Sequence, residues 1–281
     1  MINILTFDIE EYYSSGENFK DYIDDNGEFN NMESRINIEM NEIFPILEKY
    51  NAKATFFVLA SLLEKNNELR MWLNKFIFHG HEIGMHSYNH NVVYNETREE
   101  FENEISHGKK LIESIISVPV IGFRAPSFSI TEKSLWALDS LKKLGFLYDS
   151  SIFPIFHDRY GIPNAQRFIH RTSSNLLEIP MSTVRYFNIN FPACGGGYFR
   201  LYPYKLIRHF IKKLNILNIP AIVYLHPWEF DINLPKYNIK KGINKFRQFV
   251  NIKNNKDKLE RLLTDFEFIS IKDYLLENNI K

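Results

Sequence analysis

Cysteine is nearly absent: Cys194 stands alone in 281 residues. No intrachain disulfide can form, so the fold does not depend on an oxidising compartment. Net charge is absent as well. Lys+Arg and Asp+Glu each number 34, which removes any bulk electrostatic case for nucleic acid or an anionic membrane as partner. No apolar run approaches the ~18–20 residues of a membrane span. The first strand candidate begins at Ile2 with no basic or long apolar stretch before it. A secretory leader is therefore not expected, and a cytoplasmic protein is the simplest reading. Neither an internal repeat nor a low-complexity linker interrupts the chain. What remains is an ordinary globular composition, 44% hydrophobic and 15% aromatic, enough for a sizeable core.

The order along the chain alternates strand and helix. Strands are expected at 3–7, 54–59, 82–85, 120–123, 146–148, 176–179, 184–188, 222–225 and 266–269, from short apolar runs bounded by turn residues. Helices are expected at 36–50, 62–78, 97–117, 131–144, 204–217, 256–264 and 271–278. Thr97 and Glu100 form a capping-box pattern, and Gly145 closes the helix that Thr131 opens. Residues 12–34, with Gly16 and Gly27, read as a long loop. Repeated strand–helix units argue for an α/β protein, a parallel sheet with helices outside it. One domain over 1–281 is expected, with 150–203 as a candidate cap or insert and 230–281 as a C-terminal extension.

Four strand candidates run into chemically active residues, and ligands gather at strand carboxyl ends in such folds. Asp8 and Glu10 are two apart on the first, so they share a face while Glu11 takes the other. Two such carboxylates repel unless a cation lies between them or one stays protonated; alone, they would pass for solvated acids at a loop start. His86 and His90 follow the 82–85 strand at a spacing that puts two imidazoles on one side of a helical turn. Two imidazoles and a carboxylate leave positions open for water and substrate, as a catalytic metal requires.

Arg124 opens Arg-Ala-Pro-Ser, where Pro126 stiffens the backbone; its reading is a clamp that keeps Asp8 ionised. His226, in Leu-His-Pro-Trp-Glu-Phe, is placed as a general acid at neutral pH. Asp149 is a candidate to orient His226 or only to turn the chain at Asp149-Ser150-Ser151, and Trp228 to stack on a sugar face, although taken alone it reads more readily as core. Gly195-Gly196-Gly197 lacks the Gly-Lys-Ser/Thr ending of a phosphate loop. With Tyr198 and Arg200 after it, it reads as cleft lining. The spacing around Cys194 marks it as structural.

These segments resemble a known family. Thr6-Phe7-Asp8-Ile9-Glu10-Glu11, Gly80-His81-Glu82-Ile83-Gly84 with His86-Ser87-Tyr88-Asn89-His90, Arg124-Ala125-Pro126 and Leu225-His226-Pro227 resemble the polysaccharide deacetylases, which share the nodulation-type deacetylase domain. Asp149-Ser150-Ser151, 195–204 and 226–230 resemble a subgroup tied to bacterial exopolysaccharide biosynthesis. The resemblance implies a distorted (β/α) barrel of seven or so parallel strands. It also implies a divalent metal, usually Zn2+, with Co2+, Ni2+ and Fe2+ as alternatives. It makes Asp8 the base, His86 and His90 metal ligands and His226 the acid. Most relatives carry two adjacent Asp in the first motif; here Ile9 intervenes, so Glu10 or Glu11 takes the second role, and strand parity favours Glu10. Pro126, Asp149, Tyr198, Arg200 and Trp228 become the expected substrate contacts. The implied activity is removal of an N-acetyl group from an amino sugar, with no nucleic acid and no membrane span. An allantoinase-like cyclic amidohydrolase and a non-catalytic glycan-binding protein are the alternatives.

Overall fold

The computed structural model of the protein describes residues 1–14, 19, 32–235 and 242–280. Most of the expected 12–34 loop lies outside the described residues. The strands are β1 (Asn3–Ile9), β2 (Thr55–Val58), β3 (Glu82–Met85), β4 (Gly122–Phe123), β5 (Tyr148–Asp149), β6 (His170–Arg171), β7 (Leu177–Glu178), β8 (Thr183–Tyr186), β9 (Ile189–Pro192), β10 (Ile222–Leu225) and β11 (Phe268–Ile269). The α-helices are α1 (Ile36–Lys49), α2 (Leu62–Lys65), α3 (Asn67–Phe78), α4 (Arg98–Ile116), α5 (Trp136–Lys143), α6 (Gly196–Leu201), α7 (Tyr204–Ile216), α8 (Ile243–Phe249), α9 (Asn255–Asp265) and α10 (Ile271–Glu277).

The main sheet runs in the order β10-β1-β2-β3-β4-β5-β7-β6, with β11 beside the start of β1. Every pairing in it is parallel except β6 with β7. The result is a curled, open barrel of the (β/α) type. Period-two alternation sorts its side chains into two compartments. Leu5, Phe7 and Ile9 join Phe56, Val58, Val223 and Leu225 in the larger cluster, which also contains the apolar faces of the helices. Ile4, Phe57, Tyr148, Ile222 and Tyr224 form a second cluster inside the barrel. Thr6, Asp8 and Arg124 belong to that inner set, because Arg124 bonds both of the others.

Two glycines make the interior possible. A Cβ on Gly122 would lie 2.1 Å from the Tyr148 hydroxyl. One on Gly195, at φ +129°, would lie 2.1 Å from the Tyr224 ring. Gly195 belongs to a segment that runs along the open side of β10, where the Cys194 thiol is 3.6 Å from Ile222 O.

The local chemistry explains where the expected elements shift. The 62–78 helix is two helices, because Asn66 takes an extended conformation and caps the second through Leu69 N. The helix expected at 131–144 begins only at Trp136. Asn188 belongs to a turn and not to β8, since Phe187 and Asn188 both have positive φ. The α4 capping box forms as read, with Thr97 and Glu100 bonded reciprocally.

Candidate metal centre and catalytic groups

Asp8 lies near the end of β1 and Glu10 just past it, with both side chains inside the barrel mouth. Parity sends Glu11 the other way: its Oε2 accepts from Arg35 N at 3.3 Å. Burial lifts the Glu11 pKa to about 7. Glu10 is therefore the carboxylate that meets the histidines. Its Oε2 is 2.6 Å from His90 Nε2 and 3.8 Å from His86 Nε2. Trp228 Nε1–H donates to its Oε1 at 3.4 Å. Burial would raise its pKa, but His90, His86 and His226 hold it well below the usual carboxylate range.

Glu10, His86 and His90 are the one group of at least three metal-ligating side chains among the described residues whose donor atoms all lie within 4.8 Å. The donor chemistry fits a divalent cation. His86 Nδ1 is 2.9 Å from Arg124 O, an acceptor, so Nδ1 carries a proton and Nε2 is the nitrogen turned toward Glu10. The backbone that delivers the two histidines is not helical. Ser87 and His90 both lie at φ +61°, and His90 N donates to Ser87 Oγ. Glu104 of α4 accepts from the amides of Tyr88 and Asn89. A pinned turn thus does what the His-x-x-x-His spacing suggested a helix would do.

Arg124 is fully buried and serves the site twice. Its carbonyl sets the His86 tautomer, and its Nη1 donates to Asp8 Oδ1 at 2.7 Å and to Thr6 Oγ1 at 2.7 Å. Nε and Nη2 donate to Ser150 O and Ser150 Oγ, each at 3.0 Å. The guanidinium also lies 4.3 Å from the Phe57 ring. With so many donors satisfied, its charge is held against Asp8 in low dielectric. Asp8 Oδ2 lies 4.0 Å from His226 Nε2.

His226 ends β10 and stacks on Trp228, ring centroids 5.4 Å apart. Its Nδ1 faces Glu229 Oε1 at 3.5 Å, longer than a normal hydrogen bond. Glu229 is fully buried. It accepts from His226 N at 2.9 Å and from Arg200 Nε at 2.8 Å. Burial acts to lower the His226 pKa; Glu229, Glu10 and Asp8 outweigh it and raise it to about 9. Burial in turn acts to raise Glu229, and Arg200 and His226 bring it below its ordinary value.

Several expected substrate contacts have other duties. Asp149 does not touch His226. It accepts from Ser151 Oγ at 2.6 Å, and Ser151 Oγ accepts from Ala125 N at 2.7 Å, so Asp149 braces the Arg-Ala-Pro turn from behind. Its neighbour Glu178 is raised well above the usual carboxylate range by burial and by Asp149. Arg200 is buried against Glu229 and lies 4.9 Å from the Trp228 ring. Trp228 itself is 7% exposed and supports His226 and Glu10. Pro126 is buried in the turn it stiffens. Gly195 and Gly196 pack on Tyr224 rather than lining a cleft. Tyr198 stays half-buried, with its hydroxyl paired to Tyr160. Sequence reasoning missed Glu229, Thr6 and Ser150. Thr6 shares Asp8's parity, and Glu229 follows His226 by three residues after a proline; these were the available signals.

One mouth of the curled α/β barrel thus gathers a Glu/His/His group that could hold a metal ion, an Arg-clamped Asp and a carboxylate-backed His. Residues 29–148 match the polysaccharide deacetylase family model, and residues 150–276 match a domain of unknown function, DUF3473. Residues 29–148 thus match the family that the chain's motifs resemble.

The chain is 34% identical over 91 residues to a peptidoglycan-N-acetylglucosamine deacetylase of Bacillus cereus, covering 32% of this chain and 41% of that one. It is 27% identical over 99 residues to a bifunctional xylanase/deacetylase of Pseudobutyrivibrio xylanivorans, covering 35% and 16%. These matches span less than half the length of the curated relatives. A crystal structure from Mycobacterium smegmatis, of a protein assigned as a polysaccharide deacetylase, superposes with TM-score 0.63 at 14% identity, covering 98% and 90% of the two chains. A family 4 acetyl xylan esterase from Clostridium thermocellum, solved with a cobalt ion, gives 0.53 at 14%, covering 100% and 93%. At that identity the two structures speak for the fold, a distorted deacetylase-type barrel with seven mutually parallel strands in its main path.

Proposed function

We propose that this protein hydrolyses the N-acetyl group of an amino sugar in a bacterial glycan or glycan precursor. The observation that carries the reading is the pair Asp8 and His226. Asp8 Oδ2 and His226 Nε2 are 4.0 Å apart, with Glu10 Oε1 3.8 Å from the same His nitrogen. A base and an acid thus flank a carboxylate shared with two imidazoles. Glu10, His86 and His90 would hold a divalent ion, Zn2+ first among candidates, which when bound polarises the acetamide carbonyl and acidifies water.

The protein's own groups supply the proton traffic. Asp8, paired with the Arg124 guanidinium at 2.7 Å, accepts the proton of the attacking water. His226, protonated at neutral pH, delivers a proton to the departing amine. Glu229 holds that imidazole in orientation and sustains its charge, and Arg200 holds Glu229. The activity of the Bacillus cereus relative supports N-acetylglucosamine as the sugar, and motif resemblance supports exopolysaccharide biosynthesis as its setting.

The test is acetate release from N-acetylglucosamine oligomers, with allantoin as the competing substrate and Zn2+, Co2+, Ni2+ and Fe2+ supplied in turn. Acetate release with the oligomers is expected. Ring opening of allantoin instead would establish a small-molecule amidohydrolase. Oligomer binding without turnover in every metal would establish a glycan-binding protein.

Glu229→Gln supplies a sharper check on the acid. A His that must be protonated loses activity as pH rises through its pKa. Removing the Glu229 charge takes away the largest influence raising that pKa. The alkaline limb of the kcat profile is therefore expected to move to lower pH, from near 9 toward the ordinary His value of about 6.5. An unmoved limb would assign it to another group.

A further inference from the structure

The whole-chain charge of zero conceals a one-sided distribution on α7. This helix, Tyr-Lys-Leu-Ile-Arg-His-Phe-Ile-Lys-Lys-Leu-Asn-Ile, carries four Lys or Arg and no acid. Its buried side is Ile207, Phe210, Ile211 and Leu214. By helical period Lys205, Lys212 and Ile216 fall together on the opposite face, with Arg208 and Lys213 at its two margins. Arg208 is compensated by Asp265 at 2.8 Å. Lys205, Lys212 and Lys213 make no ion pair among the described residues. Ile216 stands 81% exposed among them.

The β8–β9 hairpin lies along the same margin. Lys213 Nζ sits 3.5 Å from the Tyr186 ring centroid and donates to Arg185 O at 3.4 Å. Tyr186 Oη pairs with His209 Nε2 at 3.0 Å. The hairpin turn is Phe187-Asn188, with φ of +49° and +62°. Two left-handed residues make this a primed turn, which favours Asn or Gly at its first position. A Phe stands there, 97% exposed, followed by Ile189 at 58%. An aromatic in a costly conformation, with its ring in water, is unexplained by folding.

We propose that α7 and this hairpin tip form a docking surface for an anionic phospholipid bilayer. The complementarity is specific in kind. Lys205, Lys212, Lys213 and Arg185, none in an ion pair among the described residues, match lipid phosphate, while Phe187, Ile189 and Ile216 match the acyl boundary beneath it. Basic amphipathic helices flanked by exposed apolar side chains bind such surfaces through both effects together. The inference is independent of the reaction at the barrel mouth.

The test is flotation of the whole protein with phosphatidylcholine vesicles carrying about one-third phosphatidylglycerol, at low ionic strength. Binding is expected there, with release near 1 M salt, where screening shrinks to about 3 Å. None is expected with pure phosphatidylcholine. Phe187→Asn suits the turn and leaves folding intact; it and Lys212→Glu/Lys213→Glu are each expected to weaken binding about tenfold or more. Absence of binding, equal binding to neutral vesicles, or indifference to both variants would overturn the proposal. So would retention of the protein by a soluble glycan polymer through this same face.

Discussion

Asp8→Asn is expected to lower kcat by about 10²–10⁴-fold while the protein still binds its metal. Asparagine keeps the shape and can still accept from Arg124, but it cannot take a proton from water. The substitution also has a structural consequence. Arg124 is fully buried, and among the described residues Asp8 is the one carboxylate within ion-pair distance of it. Its other side-chain and backbone partners, Thr6 and Ser150, are neutral. Leaving such a charge uncompensated costs about 3–5 kcal/mol in comparable buried pairs. The Asn amide oxygen recovers part of this, so thermal stability falls by a smaller amount. Kinetics and melting measured on one preparation separate the two effects. Near-normal turnover with a lowered Tm would make Asp8 a structural counter-ion and remove it from the chemistry.

The second large effect is expected from His86→Ala/His90→Ala. Wild-type protein purified without added metal is expected to carry about one divalent ion per chain, and the double variant essentially none. Plasma mass spectrometry reads this directly. Thermal melting gives a second readout. A ligand present at 100 times its Kd stabilises by about 2.7 kcal/mol, so a chelator lowers the Tm of the wild type and leaves that of the variant unchanged. Glu10 makes the variant's own stability informative. Its carboxylate loses the His90 and His86 contacts that hold it ionised, so the protein is expected to be less stable at pH 8 than at pH 5. Wild-type protein that holds no metal and takes up none on reconstitution would sink the metal centre.

Much of this site was readable before any fold was drawn. Strand parity alone put Asp8 and Glu10 on one face and Glu11 on the other, because the period of two admits no other arrangement within a strand. The histidines sat beside a strand end, and the Arg-Ala-Pro turn announced a stiffened guanidinium. The roles of Asp149 and Arg200 were misread because sequence proximity to a motif does not say where a side chain finds its partner. Asp149 is two residues from Ser151 and bonds it, bracing Ala125 from behind. Arg200 crosses 29 residues to reach Glu229. The conformation of the His loop was also out of reach. Its left-handed Ser87 and His90 depend on Glu104, which α4 brings from 16 residues away in sequence.

What the chain determined by itself was local: which residues share a face, where helices cap, and that acids, imidazoles and a guanidinium stand at strand ends. Those properties follow from backbone period and sterics, which act within a few residues. What only the tertiary structure decided was pairing at a distance. Arg124 meets Asp8 across 116 residues because β1, β2, β3 and β4 are parallel neighbours that raise their carboxyl ends to one mouth. His226 acquires its high pKa only when burial brings Glu229, Glu10 and Asp8 around it in a medium too poor in water to screen them.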